Sequence, residues 1–125
     1  MHDDAPRLFT GRLELIATTA SGWGAWRVVA VAQESQVGTI ELTAPAGGCV
    51  ECRVVLETKW RRKGYAAEAM GGLIDWAFSH DEVRRIAAEA PRHEADFIRV
   101  LEESGLSHTG DGGAPETLRF ELARP

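Results

Sequence analysis

The sequence is poor in the features that usually give a function away. No stretch comes near the roughly 18 consecutive apolar residues that a membrane-spanning helix requires, so no membrane role is expected. His2, His80, His93 and His108 show no H-E-x-x-H or similar spacing. No serine sits in a G-x-S-x-G context. A zinc hydrolase and an α/β-hydrolase are therefore not indicated, no metal is expected, and the histidines read as surface or capping residues. Basic residues are in the minority, 14 against 19 acidic ones, for a net charge of -5. A nucleic-acid binder needs the opposite field. The opening Met1-His2-Asp3-Asp4 lacks the basic and apolar regions of a secretory signal, which predicts a cytoplasmic setting. There are no repeats, low-complexity tracts or linkers, and 125 residues suffice for one core and not for two, so residues 1–125 read as a single domain.

Cysteine is scarce too. Cys49 and Cys52 stand at C-x-x-C spacing, which raises a redox pair or half a zinc site, but two further ligands are missing. Both fall in an apparent strand, where an odd spacing sends side chains to opposite faces and separates the thiols. They read as small core residues in a reducing compartment.

What is present is a clear change of pattern halfway along the chain. Arg12 to Ala17 alternates like a half-buried strand, and Trp26 to Ala32, Val37 to Leu42 and the nearly all-apolar Cys49 to Leu56 follow after short turns. Such short connections favour an antiparallel meander. From Tyr65 to Phe78 the apolar residues Ala66, Ala69, Met70, Leu73, Ile74 and Ala77 fall at helical spacing. Gly71-Gly72 interrupts this helix at about 1 kcal/mol per glycine, which points to a close packing contact there. A short strand over Arg85 to Glu89, a second helix over Glu94 to Ser104 stopped by Gly105, and a terminal hairpin over Leu106 to Leu122 complete the chain. The predicted order β-β-β-β-α-β-α-β-β is an α+β fold, a mixed and mostly antiparallel sheet with two main helices.

One segment carries chemistry. In Lys59-Trp60-Arg61-Arg62-Lys63-Gly64-Tyr65-Ala66, four of the first five residues are basic, and the run leads through glycine into the first helix. Unpaired N–H groups and the positive end of the helix dipole suit an anion there, and small residues let a phosphate approach the backbone. A solvated basic loop ahead of an ordinary core helix is the plainer alternative.

Arg61-x-x-Gly64-x-Ala66 matches the R/Q-x-x-G-x-G/A signature of the GNAT acyltransferases, and Arg61 to Ala69 resembles the "RGKGYATEA" form found in the ribosomal-protein N-terminal acetyltransferase branch. Thr10-Gly11-Arg12-Leu13-Glu14-Leu15 resembles that branch's opening "T-x-R-L-x-L", and Arg99 to Leu106 its "RVLEKLGF" helix. The likeness covers nearly the whole chain. It implies that acetyl-CoA or another acyl-CoA is the cosubstrate, with its diphosphate on the amides of Arg61, Arg62, Lys63, Gly64, Tyr65 and Ala66. It implies a pantetheine arm lying beside Val54, Val55 and Leu56 like an added strand, with an N–H near Val55 or Leu56 on the thioester carbonyl. It further implies direct transfer to the amine of a small molecule or a protein N-terminus.

Glu51 matches the glutamate of the branch's "E-I-G-Y" strand and is the first candidate for general base, with Glu41 and Glu57 behind it. A solvent-facing glutamate on a strand is the competing reading. Leu101 holds the place where many members carry a tyrosine acid, and the single tyrosine, Tyr65, belongs to the signature loop, so no side-chain acid is assigned. Trp23 or Trp60 could line a substrate pocket, although tryptophans are more often core or rim residues. Two departures bear on function. Glu94 and Phe97 stand where the branch has asparagine and serine, and residues 18–25 are too few for the helices that wall the family's acceptor site. A coenzyme A-binding module without transfer, or another reaction on the same fold, therefore stays open. An open sheet edge leaves room for a homodimer.

Overall fold

The computed structural model describes residues 7–18 and 23–125. His2, with the rest of the opening 1–4, and residues 19–22 of the short 18–25 segment lie outside the described residues. Among the described residues eight strands, β1 (Arg7–Phe9), β2 (Leu13–Ala17), β3 (Gly24–Ala30), β4 (Ser35–Leu42), β5 (Cys49–Leu56), β6 (Arg85–Pro91), β7 (Ser107–Asp111) and β8 (Thr117–Ala123), form one sheet in the order β1-β2-β3-β4-β5-β6-β8-β7. Helix α1 (Tyr65–Phe78) joins β5 to β6, and α2 (Ala95–Glu103) follows β6. The predicted order holds, with β1 added as a short edge strand. Three residues with no full alternation cycle give no periodic signal, and β1 exists because it can pair with β2, Arg7 opposite Ile16.

Side-chain alternation sets which face of the sheet is covered. Leu13, Leu15 and Ala17 of β2 and Trp26, Val28 and Ala30 of β3 are buried, while Glu14, Ile16, Arg27 and Val29 point the other way. In β4 a bulge opposite Val28 and Val29 leaves Val37 unpaired, so the alternation slips by one and Val37, Ile40 and Leu42 all reach the core. Both helices lie on this covered face. From α1, Tyr65, Ala69, Met70, Leu73, Ile74 and Ala77 are buried, with Tyr65 taking the place predicted for Ala66, which is half-buried. From α2, Leu101 is buried, and Phe97, Ile98 and Val100 pack against the same core. Leu101 is thus a packing residue, which accounts for a side chain with no acid–base capacity at that place.

The glycine pair of α1 divides in two. A Cβ on Gly72 would meet Thr10 Cγ2 at 3.1 Å and Leu15 Cδ1 at 3.3 Å, the close packing that the sequence suggested, whereas a Cβ on Gly71 would meet nothing within 4 Å. Cys49 and Cys52 are both free thiols and point to opposite faces, as expected. Cys52 Sγ lies 3.5 Å from Met70 Sδ in the core, and burial pushes its pKa up to about 12. Cys49 Sγ lies on the other face, 3.8 Å from Glu51. Burial and the Glu51 charge raise its pKa as well.

Candidate functional site

The sheet comes apart in one place. β5 pairs with β4 along its whole second half, from Cys52 opposite Leu42 to Leu56 opposite Gly38. Its parallel pairing with β6, the one parallel pair among the described strands, runs only from Cys49 opposite Arg85 to Cys52 opposite Ala88. β6 meanwhile stays with β8 through Pro91 opposite Thr117. A wedge therefore opens between Arg53–Leu56 and Glu89–Pro91.

The direction of the main-chain groups along β5 follows from two hydrogen bonds. Thr43 N–H donates to the Glu51 carbonyl at 3.0 Å and Glu57 N–H donates to the Val37 carbonyl at 2.9 Å. Every second residue of a strand points the same way, so Glu51, Arg53, Val55 and Glu57 address β4, and Val54 and Leu56 address the wedge. Of the three strand residues assigned to a pantetheine arm, Val54 and Leu56 present their backbone there. Val55 belongs to the β4 ladder and is 49% exposed, on the open face of the sheet. β4 can lie this close because residue 38 is glycine: a Cβ there would stand 2.2 Å from the Val55 carbonyl oxygen.

At the mouth of the wedge the chain makes a 3-10 turn over Thr58–Trp60 and then the basic loop. Arg62 (φ 63°) and Gly64 (φ 82°) both adopt left-handed backbone conformations, and Gly64 caps α1 with no side-chain hydrogen bond. The first bond of the helix runs from Glu68 N–H to the Gly64 carbonyl, so the amides of Tyr65, Ala66 and Ala67 precede it and lack intrahelical partners. Arg61, Arg62, Lys63 and Gly64 are exposed. Arg61 Nε donates to the Leu56 carbonyl at 3.2 Å, which ties the loop to the end of β5. Arg62 Nε donates to Asp96 in the first turn of α2 at 2.8 Å. Tyr65 is buried against Trp60, with ring centroids 6.0 Å apart. The Trp60 Nε1 is the one buried side-chain N or O without a partner among the described residues. Trp23 packs instead at the far end of α1, 4.8 Å from the Trp76 ring and 5.2 Å from His80, well away from this loop in the chain.

Two arginine–glutamate clusters that the sequence did not announce flank these elements. Arg12, from the turn between β1 and β2, binds Glu68 through Nε at 2.8 Å and through its own N–H at 2.7 Å. Thr10 Oγ1 donates to the same carboxylate. Burial raises the Glu68 pKa, but the bonds from Thr10 and Arg12 outweigh it and hold the carboxyl below its ordinary value. The Arg12 guanidinium lies 4.4 Å from the centroid of the Tyr65 ring.

The second cluster involves Glu51. Arg119 of β8 holds both its oxygens, Nη1 to Oε1 at 3.2 Å and Nη2 to Oε2 at 2.8 Å. Arg119 also bonds Glu121 at 2.8 Å and lies 3.6 Å from Glu89. The bonds to Glu51 and then Glu121 raise its pKa, so it stays a cation. Arg119 reaches across β6 because the intervening residue is small: Ala87 stands in register between Glu51 and Glu121. This cluster lies on the uncovered face, where Glu51 is half-buried at the root of the wedge. Glu41 stands on β4 opposite Arg53, and Glu57 is exposed just beyond β5. Glu94 is the exposed N-cap of α2, and Phe97 is half-buried in its first turn. Among the described residues no group of three His, Cys, Asp or Glu side chains could hold a metal ion. No described helix is long and apolar enough to cross a membrane.

This architecture matches known proteins. Residues 2–107 match the family described as acetyltransferase (GNAT) domain. An uncharacterized N-acetyltransferase, YjdG, of Bacillus subtilis is 36% identical over 59 residues, 47% of this chain and 35% of that protein, so the match takes in little more than a third of the relative's length. An acetyltransferase (GNAT family) from Bacillus anthracis superposes with a TM-score of 0.82 at 17% identity, covering 94% of this chain and 98% of that one. A spermidine N-acetyltransferase from Vibrio cholerae, solved in complex with CoA and spermine, superposes with a TM-score of 0.69 at 17% identity over 79% of this chain and 64% of that one. At these identities the two structural likenesses speak for the fold.

Proposed function

Because this chain belongs to the acetyltransferase (GNAT) domain family, we propose that it is an acyl-CoA-dependent N-acyltransferase, acetyl being the acyl group, acting on the amine of a small molecule or a protein N-terminus. The observation that carries this reading is the wedge between β5 and β6 with the Arg61–Ala66 loop at its mouth. The diphosphate of the donor sits on the open amides of Tyr65 and Ala66 beside Arg61, Arg62 and Lys63, where the helix dipole and the basic side chains act together. The pantetheine arm lies in the wedge and pairs with the main chain of Val54 and Leu56. The neutral amine attacks the thioester carbonyl carbon. An N–H of β5 facing the wedge, Val54 or Leu56, stabilises the tetrahedral oxyanion, and its collapse expels the coenzyme thiolate. The proton lost by the amine passes to Glu51, directly or through water, once the Glu51–Arg119 pair opens. With thiol pKa values near 8.5, the thiolate leaves without a side-chain acid.

The Glu51–Arg119 pair favours a second reading. Both oxygens of the Glu51 carboxylate are engaged by an arginine, and among the described residues no helix stands over it to shape an acceptor pocket. On that reading the chain binds the coenzyme without transferring its acyl group. Calorimetry with acetyl-CoA tests what the two readings share, and release of thiol with a panel of amines separates them. Tight binding with no thiol released on any amine would leave the second reading standing. We place the activity in the cytoplasm, in keeping with two free thiols. A homodimer formed through an outer strand of the sheet is the assembly to test by light scattering.

A further inference from the structure

Arg12 lies outside the signature loop by some fifty residues of sequence, yet it reaches the same point in space. If Gly64 carried a Cβ, its nearest neighbour would be Arg12 Nη2 at 3.2 Å. The guanidinium is held from two sides. Its Nε is taken by Glu68 at 2.8 Å, and its Cζ lies over the Tyr65 ring, 4.4 Å from the centroid. Glu68 is itself fixed by Thr10 and by the Arg12 main chain. These contacts hold the guanidinium in place, with Nη2 beside the glycine that opens α1. An arginine ordered in advance loses little freedom when it meets a phosphate, and its fork matches two phosphate oxygens.

Next to it lies a depression of about 240 Å³, walled by Gly11, Arg12, Val31, Ala32, Gln33 and Tyr65. It offers small and apolar side chains from the β3–β4 turn, with Val31 50% exposed, and an amide from Gln33. The other side of the loop is less suited to a polyanion. Arg62 is already paired there with Asp96, and Glu94 caps the same helix end, so a nucleotide phosphate leaving the loop toward α2 would meet carboxylates.

We propose that Arg12 is a phosphate-binding residue of the coenzyme site, and that the nucleotide end of the donor turns toward the β3–β4 side and rests in the depression that Arg12 walls. This rests on the acyl-CoA reading above. The shared chemistry is a phosphate at the nucleotide end, either the adenosine-side phosphate of the diphosphate or the 3′-phosphate, both of which acetyl-4′-phosphopantetheine lacks.

The test compares acetyl-CoA, acetyl-3′-dephospho-CoA and acetyl-4′-phosphopantetheine as ligands of the full chain, by calorimetry run directly or in competition. In Arg12→Gln, affinity for acetyl-CoA falls about tenfold while that for acetyl-4′-phosphopantetheine changes less than about twofold. If acetyl-3′-dephospho-CoA falls with acetyl-CoA, Arg12 holds the adenosine-side phosphate of the diphosphate; if it is unaffected, Arg12 holds the 3′-phosphate. Glu68→Gln breaks the same ion pair but keeps the cation, so it lowers thermal stability much as Arg12→Gln does and costs less than about threefold in acetyl-CoA affinity. An Arg12→Gln variant that binds acetyl-CoA like the parent, or that loses all three ligands alike, overturns the inference. So does a Glu68→Gln variant that loses as much affinity as Arg12→Gln, which would reduce Arg12 to a structural tie. A parent protein that binds none of the three ligands overturns the acyl-CoA reading itself.

Discussion

The two halves of β5 are one continuous strand with opposite fates. From Cys49 to Cys52 it is hydrogen-bonded to β6, and three of its four residues are buried. From Arg53 to Leu56 it keeps β4 but loses β6, and all four residues are half-buried or exposed. An unpaired stretch of main chain inside a sheet exposes polar groups that a purely structural sheet would pair. The first half shows what stability alone asks of this sequence. The second half is left incomplete, with the main chain of Val54 and Leu56 unpaired toward β6, and it is there that the proposed pantetheine arm would add a strand.

The sharpest test of that contrast lies at the mouth of the open half. Gly64→Glu asks a side chain to adopt the left-handed conformation at φ 82° and brings a carboxylate to Arg12. That carboxylate neutralises the arginine and occupies the proposed phosphate seat, so acetyl-CoA affinity falls by at least about a hundredfold, or ~2.7 kcal/mol, in calorimetry. Binding equal to the parent would show that the loop is not the seat and that the open half of β5 serves something else.

Gly38→Ala strikes the other edge of the same half-strand. The new Cβ would lie 2.2 Å from the Val55 carbonyl oxygen and 3.0 Å from Leu56 Cα, both backbone atoms that cannot rotate aside. β4 and the open half of β5 must move apart at a cost of about 2–3 kcal/mol, read in chemical denaturation, with a loss of coenzyme affinity alongside. An unchanged stability would mean that this end of β5 is free to shift.

Glu51→Gln probes the boundary between the halves. If Glu51 takes the amine proton, turnover falls about a hundredfold while acetyl-CoA affinity stays within about twofold, because the amide still accepts from Arg119 and leaves the loop untouched. An unchanged rate would leave Glu51 as the partner of Arg119 and nothing more.

The smallest effects come from the covered face, where packing alone decides. Gly71→Ala adds a methyl to open space within a helix and stabilises by about 1 kcal/mol, whereas Gly72→Ala presses on Thr10 and Leu15 and gains less or loses stability. Two thermal melts measure the pair, and equal shifts would mean that β2 has room to give.

The covered face was the legible part. Leu13, Leu15, Trp26, Val28, Met70, Leu73 and Ile74 announce themselves by period, and all of them are buried. The Arg61–Ala66 loop was legible because its charge and its glycine are local signals. Arg12 and Arg119 were not. Their partners stand 56 and 68 residues away, and no pattern within a window links them. A weaker clue existed for the second, since Arg119 and Glu121 alternate with Leu118, Phe120 and Leu122 and so share the uncovered face. The strand boundary at Val54–Leu56 was legible as a strand, but which of its residues face β4 depended on a register that only the neighbouring strands set.

By itself, then, the sequence determined the periodic elements, the face of each that is buried, and a basic loop entering a helix, because these follow from interactions among residues near one another in the chain. The tertiary structure alone decided that β5 and β6 part after Cys52 and Ala88, that Val54 rather than Val55 turns its main chain to the gap, and that Glu51 is held by Arg119 across the small Ala87. Pairing register and long-range ion pairs are properties of strands brought together from distant parts of the chain, and nothing within one strand specifies its neighbour.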